Sequence, residues 1–136
     1  MNLERFIDAH KDSYDIALHE IKNGKKVSHW MWYIFPQIKG LGRSSTAIYY
    51  SINDINEANE YYSNEILYNH LIEICTELLK QSGDIKYIMG YPDYMKLHSC
   101  LTLFHYVDKD NELFIKLIDK FYNGKYDNLT IQILEK

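Results

Sequence analysis

The 136-residue chain holds only two cysteines and two prolines, and no apolar run longer than Trp30 to Pro36. Each scarcity excludes something. Cys75 and Cys100 sit in separate apolar stretches without zinc-type spacing, so two buried, reduced thiols are expected, with no disulfide and no metal site. A membrane-spanning helix needs ~20 apolar residues in a row, and nothing here approaches that. The opening Met-Asn-Leu-Glu-Arg-Phe-Ile-Asp-Ala-His mixes charge into an amphipathic pattern unlike a secretory signal, which points to the cytoplasm. Repeats, linkers and low-complexity tracts are missing too.

The most telling scarcity is local. The stretch from Ile21 to Asn53 holds five of the 15 basic side chains (Lys22, Lys25, Lys26, Lys39, Arg43) and none of the 19 acidic ones, so its formal charge is +5 against −9 elsewhere. Such a region tolerates an anion. At its centre lies Ser28-His29-Trp30-Met31-Trp32-Tyr33-Ile34-Phe35-Pro36-Gln37, with both tryptophans, and Gly40-Leu41-Gly42-Arg43-Ser44-Ser45 follows.

The remainder is ordinary globular composition, 46% hydrophobic and 25% charged, at a length that fits one domain over residues 1–136. Tyr14, Ala17, Leu18 and Ile21 recur at helical spacing before Gly24, and Leu3, Phe6 and Ile7 suggest a short helix ahead of them. A stripe of Leu67, Leu71, Ile74, Cys75 and Leu78 predicts a helix over Asn64 to Lys80, capped by Ser63. Leu113 to Phe121 repeats the pattern up to Asn123-Gly124, and Asp127 is placed to cap a last helix through Leu134. From Asp93 to Val107 no face is consistently polar, which marks a buried helix. Ser45 to Tyr50 reads as helix, since a lone strand would have nothing to pair with. The expected fold is all-α, a compact multihelical domain of six to eight helices around a buried central one.

Three places could carry chemistry. In the aromatic segment Pro36 ends any helix by Ile34, so one indole of Trp30 and Trp32 is expected in the core and the other free, beside His29 and Gln37. Aromatics at this density are ordinarily core. The glycine-rich turn could offer amides to an anion with Arg43 and Ser44, but it lacks a Walker ending and no strand precedes it, so a plain turn with a serine cap competes evenly. In the buried helix, Lys96 and Ser99 are candidates, whereas His98 and His105 stand too far apart to share a metal. Ser99 and Cys100 do not face His98, and small residues there ordinarily serve packing.

Phe6, Ala17-Leu18, Gly24, Ser28-His29-Trp30-Met31-Trp32, Ile34-Phe35-Pro36-Gln37, Gly40-Leu41-Gly42, Ser44, Asp93, Lys96-Leu97 and Ser99 to Phe104 together closely resemble the DUF1810 family over almost the whole chain. The resemblance implies a small, bacterial-type, multihelical domain with buried central helices. It supplies no activity. Two departures are mild: His98 stands where an arginine or similar residue is common, and Cys100 where a serine is common.

The favoured expectation is a cleft for a small phosphorylated or nucleotide-like anion. His29 would serve as general acid or base, Trp30 or Trp32 as stacking platform and Gln37 as polar reader, with Arg43, Ser44, Lys96 and Ser99 around the anion. No cofactor is implied. The alternative is a non-catalytic module whose aromatic segment docks a protein partner. Nucleic-acid binding is disfavoured by the acidic remainder and a pI near 5.8.

Overall fold

Phe6, His10, Tyr14, Ala17 and Ile21 fall three or four residues apart and form one buried face. They therefore belong to a single helix, α1 (Glu4–Lys22), and the separate short helix expected around Phe6 is its first turn. The computed structural model describes residues 3–136 and contains, among them, eight further helices and no strand. These are α2 (Met31–Ile34), α3 (Ser45–Tyr49), α4 (Ile55–Ser63), α5 (Glu65–Leu79), α6 (Ile85–Met89), α7 (Asp93–Val107), α8 (Glu112–Tyr122) and α9 (Asn128–Leu134).

Side-chain oxygens start most of them. Ser44, Asp54, Asn64, Asp84, Asn111 and Asp127 each accept a backbone N–H from the first turn that follows, satisfying donors that the helix itself leaves open. The cap of α5 is Asn64, not Ser63, which closes α4 instead. At the other end of α8, Asn123 takes the left-handed conformation with φ 56° and Gly124 follows.

α7 is the central helix that its all-round hydrophobicity predicts. Leu97, Cys100, Leu101, Leu103 and Phe104 are all 0% exposed, and α4, α6, α8 and α9 pack around it. Its polar side chains find partners in the α8–α9 connection. His98 stacks on Tyr122 with centroids 4.1 Å apart and donates Nε2–H to the Lys125 carbonyl at 2.6 Å. Thr102 Oγ1 accepts the Asp127 N–H, and Ser99 donates to the Asp127 carboxylate at 2.8 Å. Both cysteines are buried and unpaired, and burial raises their thiol pKa values.

α1 packs against α5 and α2, and a buried ion pair fixes its start. The Arg5 guanidinium meets the Glu57 carboxylate at 2.7 and 3.3 Å and also donates to the Tyr49 and Ser51 carbonyls. Beyond α2 the chain returns on itself. Lys39 N–H donates to the Ile52 carbonyl and Ile52 N–H to the Gln37 carbonyl, at 2.7 and 2.8 Å, a single parallel bridge that holds Gln37 at the surface. Among the described residues no helix is long and apolar enough to cross a membrane.

Candidate functional site

The segment after α1 is shaped by a buried carboxylate. Glu20 Oε1 accepts the Val27 N–H, the Ser28 N–H and the Trp30 indole N–H at 2.7 to 2.9 Å, while Oε2 takes the Ser28 hydroxyl at 2.6 Å. Desolvation alone would raise the Glu20 pKa. The donors from Ser28, Val27 and Trp30 outweigh it and hold the group at about 2. Trp30 is consequently the core indole, 1% exposed. Pro36 pushes Phe35 out of helical angles, to φ −125° and ψ 70°, so α2 is a single turn that leaves Trp32 on the opposite, half-exposed side.

Lys26 carries this segment to the corner between α6 and α7. Its N–H donates to the Ile88 carbonyl at 2.7 Å, and its ammonium reaches Asp93 at 2.9 Å and the Ser28 carbonyl at 2.6 Å while facing the Trp30 ring. Lys96 approaches the same carboxylate from α7, at 4.0 Å, and stands 5.7 Å from the Trp32 ring centre. Segments far apart in the chain thus meet around one acid and two cations.

Three depressions share walls here, and Lys96 lines all of them. One, of about 300 Å³, lies between Lys26, His29, Trp32, Tyr91 and Asp93. A second, also about 300 Å³, runs past Gln37, Leu41, Tyr91, Met95, Ser99 and Leu129. The third is a slit of about 10 Å³ between Trp32, Gln37 and Gly42, with room for about one water. Together they form a groove with an aromatic wall, a cation at its centre and a far end where Leu41, Met95 and Leu129 meet His98, Ser99 and Asp127.

Of the sequence candidates, His29, Trp32, Gln37, Lys96 and Ser99 converge on this groove. His29 is exposed at its rim, and the Gln37 side-chain amide makes no hydrogen bond among the described residues. Ser99 lines it with a hydroxyl already given to Asp127. Trp30 stays behind the wall, inside the core.

Arg43 and Ser44 are not brought in. Arg43 is exposed away from the groove lining, and the Ser44 hydroxyl accepts the Ala47 N–H to cap α3. The glycines have a packing reason: a Cβ at Gly42 would stand 2.5 Å from that of Ala47, so only glycine lets the turn close on α3.

Glu20, Lys26, Asp93 and Tyr91 complete the site without having been sequence candidates for it. Asp93 takes its closer partner, Lys26, from a remote part of the chain, and Tyr91 is one of 13 tyrosines. Among the described residues no group of three or more His, Cys, Asp or Glu side chains is arranged to hold a metal. A separate cavity of about 240 Å³ between α7 and α9, walled by Thr102, His105 and Tyr126, contains none of the sequence candidates.

The family described as protein of unknown function DUF1810 matches residues 1–134. No curated protein matches the chain. Among solved structures, the conserved hypothetical protein Rv1873 from Mycobacterium tuberculosis is similar, with 36% identity, a TM-score of 0.96 and coverage of 98% of this chain and 96% of that one. The chain belongs to the DUF1810 family.

Proposed function

We propose that this member of the DUF1810 family binds a small anionic molecule with a planar ring, of phosphorylated or nucleotide-like type, in the groove around Lys96. The observation that carries the proposal is the setting of Lys96. The residue lines every part of the groove, and its ammonium lies over a half-exposed indole and is only loosely matched by Asp93 at 4.0 Å. A cation so placed attracts an anion, and the Trp32 face beside it stacks a ring.

Gln37 supplies an uncommitted amide for the polar edge of such a ring. His29, at the rim of the depression that holds Lys26 and Asp93, is the group for proton transfer if the bound molecule reacts, since histidine suits acid–base work near neutral pH. Arg43 and Ser44 have no part in this proposal. A cytoplasmic setting accompanies it, in keeping with two buried, unpaired cysteines.

A partner-docking module built on the aromatic segment has less support, because Trp30, Met31, Ile34 and Phe35 are each at most 2% exposed. Docking surfaces need exposed anchors.

Thermal unfolding with a panel of nucleotides, NAD, ADP-ribose and sugar phosphates tests the proposal. A ligand at about a hundred times its dissociation constant adds ~2.7 kcal/mol, a rise of roughly 5 to 10 °C at this size. The rise should vanish in Lys96→Met and Trp32→Ala and survive in Arg43→Ala. No rise with any compound would end the proposal.

A further inference from the structure

We infer that the ligand of this groove carries a single negative charge, a carboxylate or a phosphodiester, beside its planar ring, and not a polyphosphate. The inference rests on the proposal that the groove binds a planar anion, and it follows from counting which charges are still available.

Lys26 is spent. Its side chain is 8% exposed, and its ammonium already has the Asp93 carboxylate at 2.9 Å, the Ser28 carbonyl at 2.6 Å and the Trp30 ring face. Asp93 is matched by that contact. Lys96 is 26% exposed, makes no hydrogen bond among the described residues and keeps a charge that Asp93, at 4.0 Å, compensates only in part. The groove therefore offers one uncommitted cation.

Its other charged wall is negative. A polyphosphate continuing from Lys96 along the second depression would run toward Asp127, whose carboxylate stands beside Ser99. The turn that could have cradled further phosphates is unsuitable, since Ser44 caps α3 and Arg43 does not line the groove. Each extra anionic oxygen would lose water without gaining a partner, against a chain whose formal net charge is −4. A lone anion on Lys96, with its ring on Trp32, avoids that cost.

The test keeps the ring constant and changes the charge. Adenosine, adenosine-5′-carboxylate, adenosine 3′,5′-cyclic monophosphate, AMP and ATP are titrated into the full chain, and the corresponding uridine compounds are run alongside. Binding is read from the Trp32 indole NMR signal at up to millimolar ligand.

At least one singly charged compound should bind tenfold or more tighter than its nucleoside, and ATP should bind no tighter than that compound. The carboxylate and cyclic arms show which monoanion is preferred. Lys96→Met should erase the advantage over the nucleoside and Lys96→Arg should keep it, both with unfolding transitions like the parent's. Affinity climbing steadily to ATP would overturn the single-charge inference while leaving the groove proposal standing, whereas an advantage that survives Lys96→Met would overturn both. Silence from both series at every charge would overturn both.

Discussion

Tyr14 lies flat against His70, with ring centres 3.6 Å apart and planes within 4° of parallel, and donates its hydroxyl to Glu73 at 2.5 Å. The pair roofs a second histidine. His10, 3% exposed, places Nε2 2.8 Å from the Tyr33 carbonyl and Nδ1 2.9 Å from Nδ1 of His70. The carbonyl can only accept, so His10 carries its proton on Nε2 and His70 must donate from Nδ1. A second proton on His10 would set two N–H groups against each other unless His70 moved its own proton to Nε2.

That arrangement predicts acid sensitivity at mild pH. Burial first, with the neighbouring His70 adding to it, lowers His10 to about 4 despite the opposing Tyr33 carbonyl, and burial lowers His70 as well despite Glu73 and Asp15. Because the unfolded histidine titrates near 6.5, the unfolded chain binds more protons below that pH. The stability held by neutral His10 is complete above 6.5 and is lost as pH falls toward 4. Urea midpoints measured from pH 7.5 to 4.5 should decline in the parent and decline less steeply in His10→Gln; equal slopes would refute this.

Glu20 responds in a lower window. Its pKa is depressed from 4.5 to about 2, so its stabilising effect is full above 4.5 and disappears as pH drops to 2. At neutral pH, Glu20→Ala leaves two backbone amides and an indole N–H without their acceptor and should cost about 3 kcal/mol in urea unfolding. Glu20→Gln retains an acceptor oxygen and should cost less than half as much.

The two tryptophans should separate cleanly. Trp30→Ala empties a core position and is expected to cost ~3–5 kcal/mol, whereas Trp32→Ala, on the groove wall, should cost under ~1.5 kcal/mol. Acrylamide should quench the fluorescence of Trp30→Phe, which retains only Trp32, well above that of Trp32→Phe. Equal quenching would put both indoles in the same environment.

Much of the fold is legible: an apolar stripe and a stop mark α5 and α8, all-round hydrophobicity marks α7 and the Asp127 cap marks α9, although α5 starts at Asn64 and not at Ser63. α1 reads as two pieces in the sequence because His10 interrupts its apolar stripe, and its remote partners are what make a histidine acceptable there. α4 gave no stripe at all. Its buried residues are Glu57, Ala58 and Tyr61, and Glu57 is buried with Arg5 and the Asn53 N–H as partners from outside the helix. α6 is too short at Ile85–Met89 to show a period. Of the residues singled out by type, His29, Trp32, Gln37 and Lys96 line the groove while Arg43 and Ser44 lie outside it, because a glycine-rich turn looks alike whether it holds an anion or packs on a helix. The Lys26–Asp93 tie joins distant positions, and spacing says nothing about such pairs.

The pairing of Arg5 with Glu57 also orders events during synthesis. When α1 leaves the ribosome, the carboxylate and the two carbonyls that receive its guanidinium have not been made, and neither has α5, against which the helix packs. α1, translated before all of these partners, must therefore wait for residues beyond 57 before it can dock. A nascent chain stalled before α5 should display α1 with its apolar face open to chaperones and proteases.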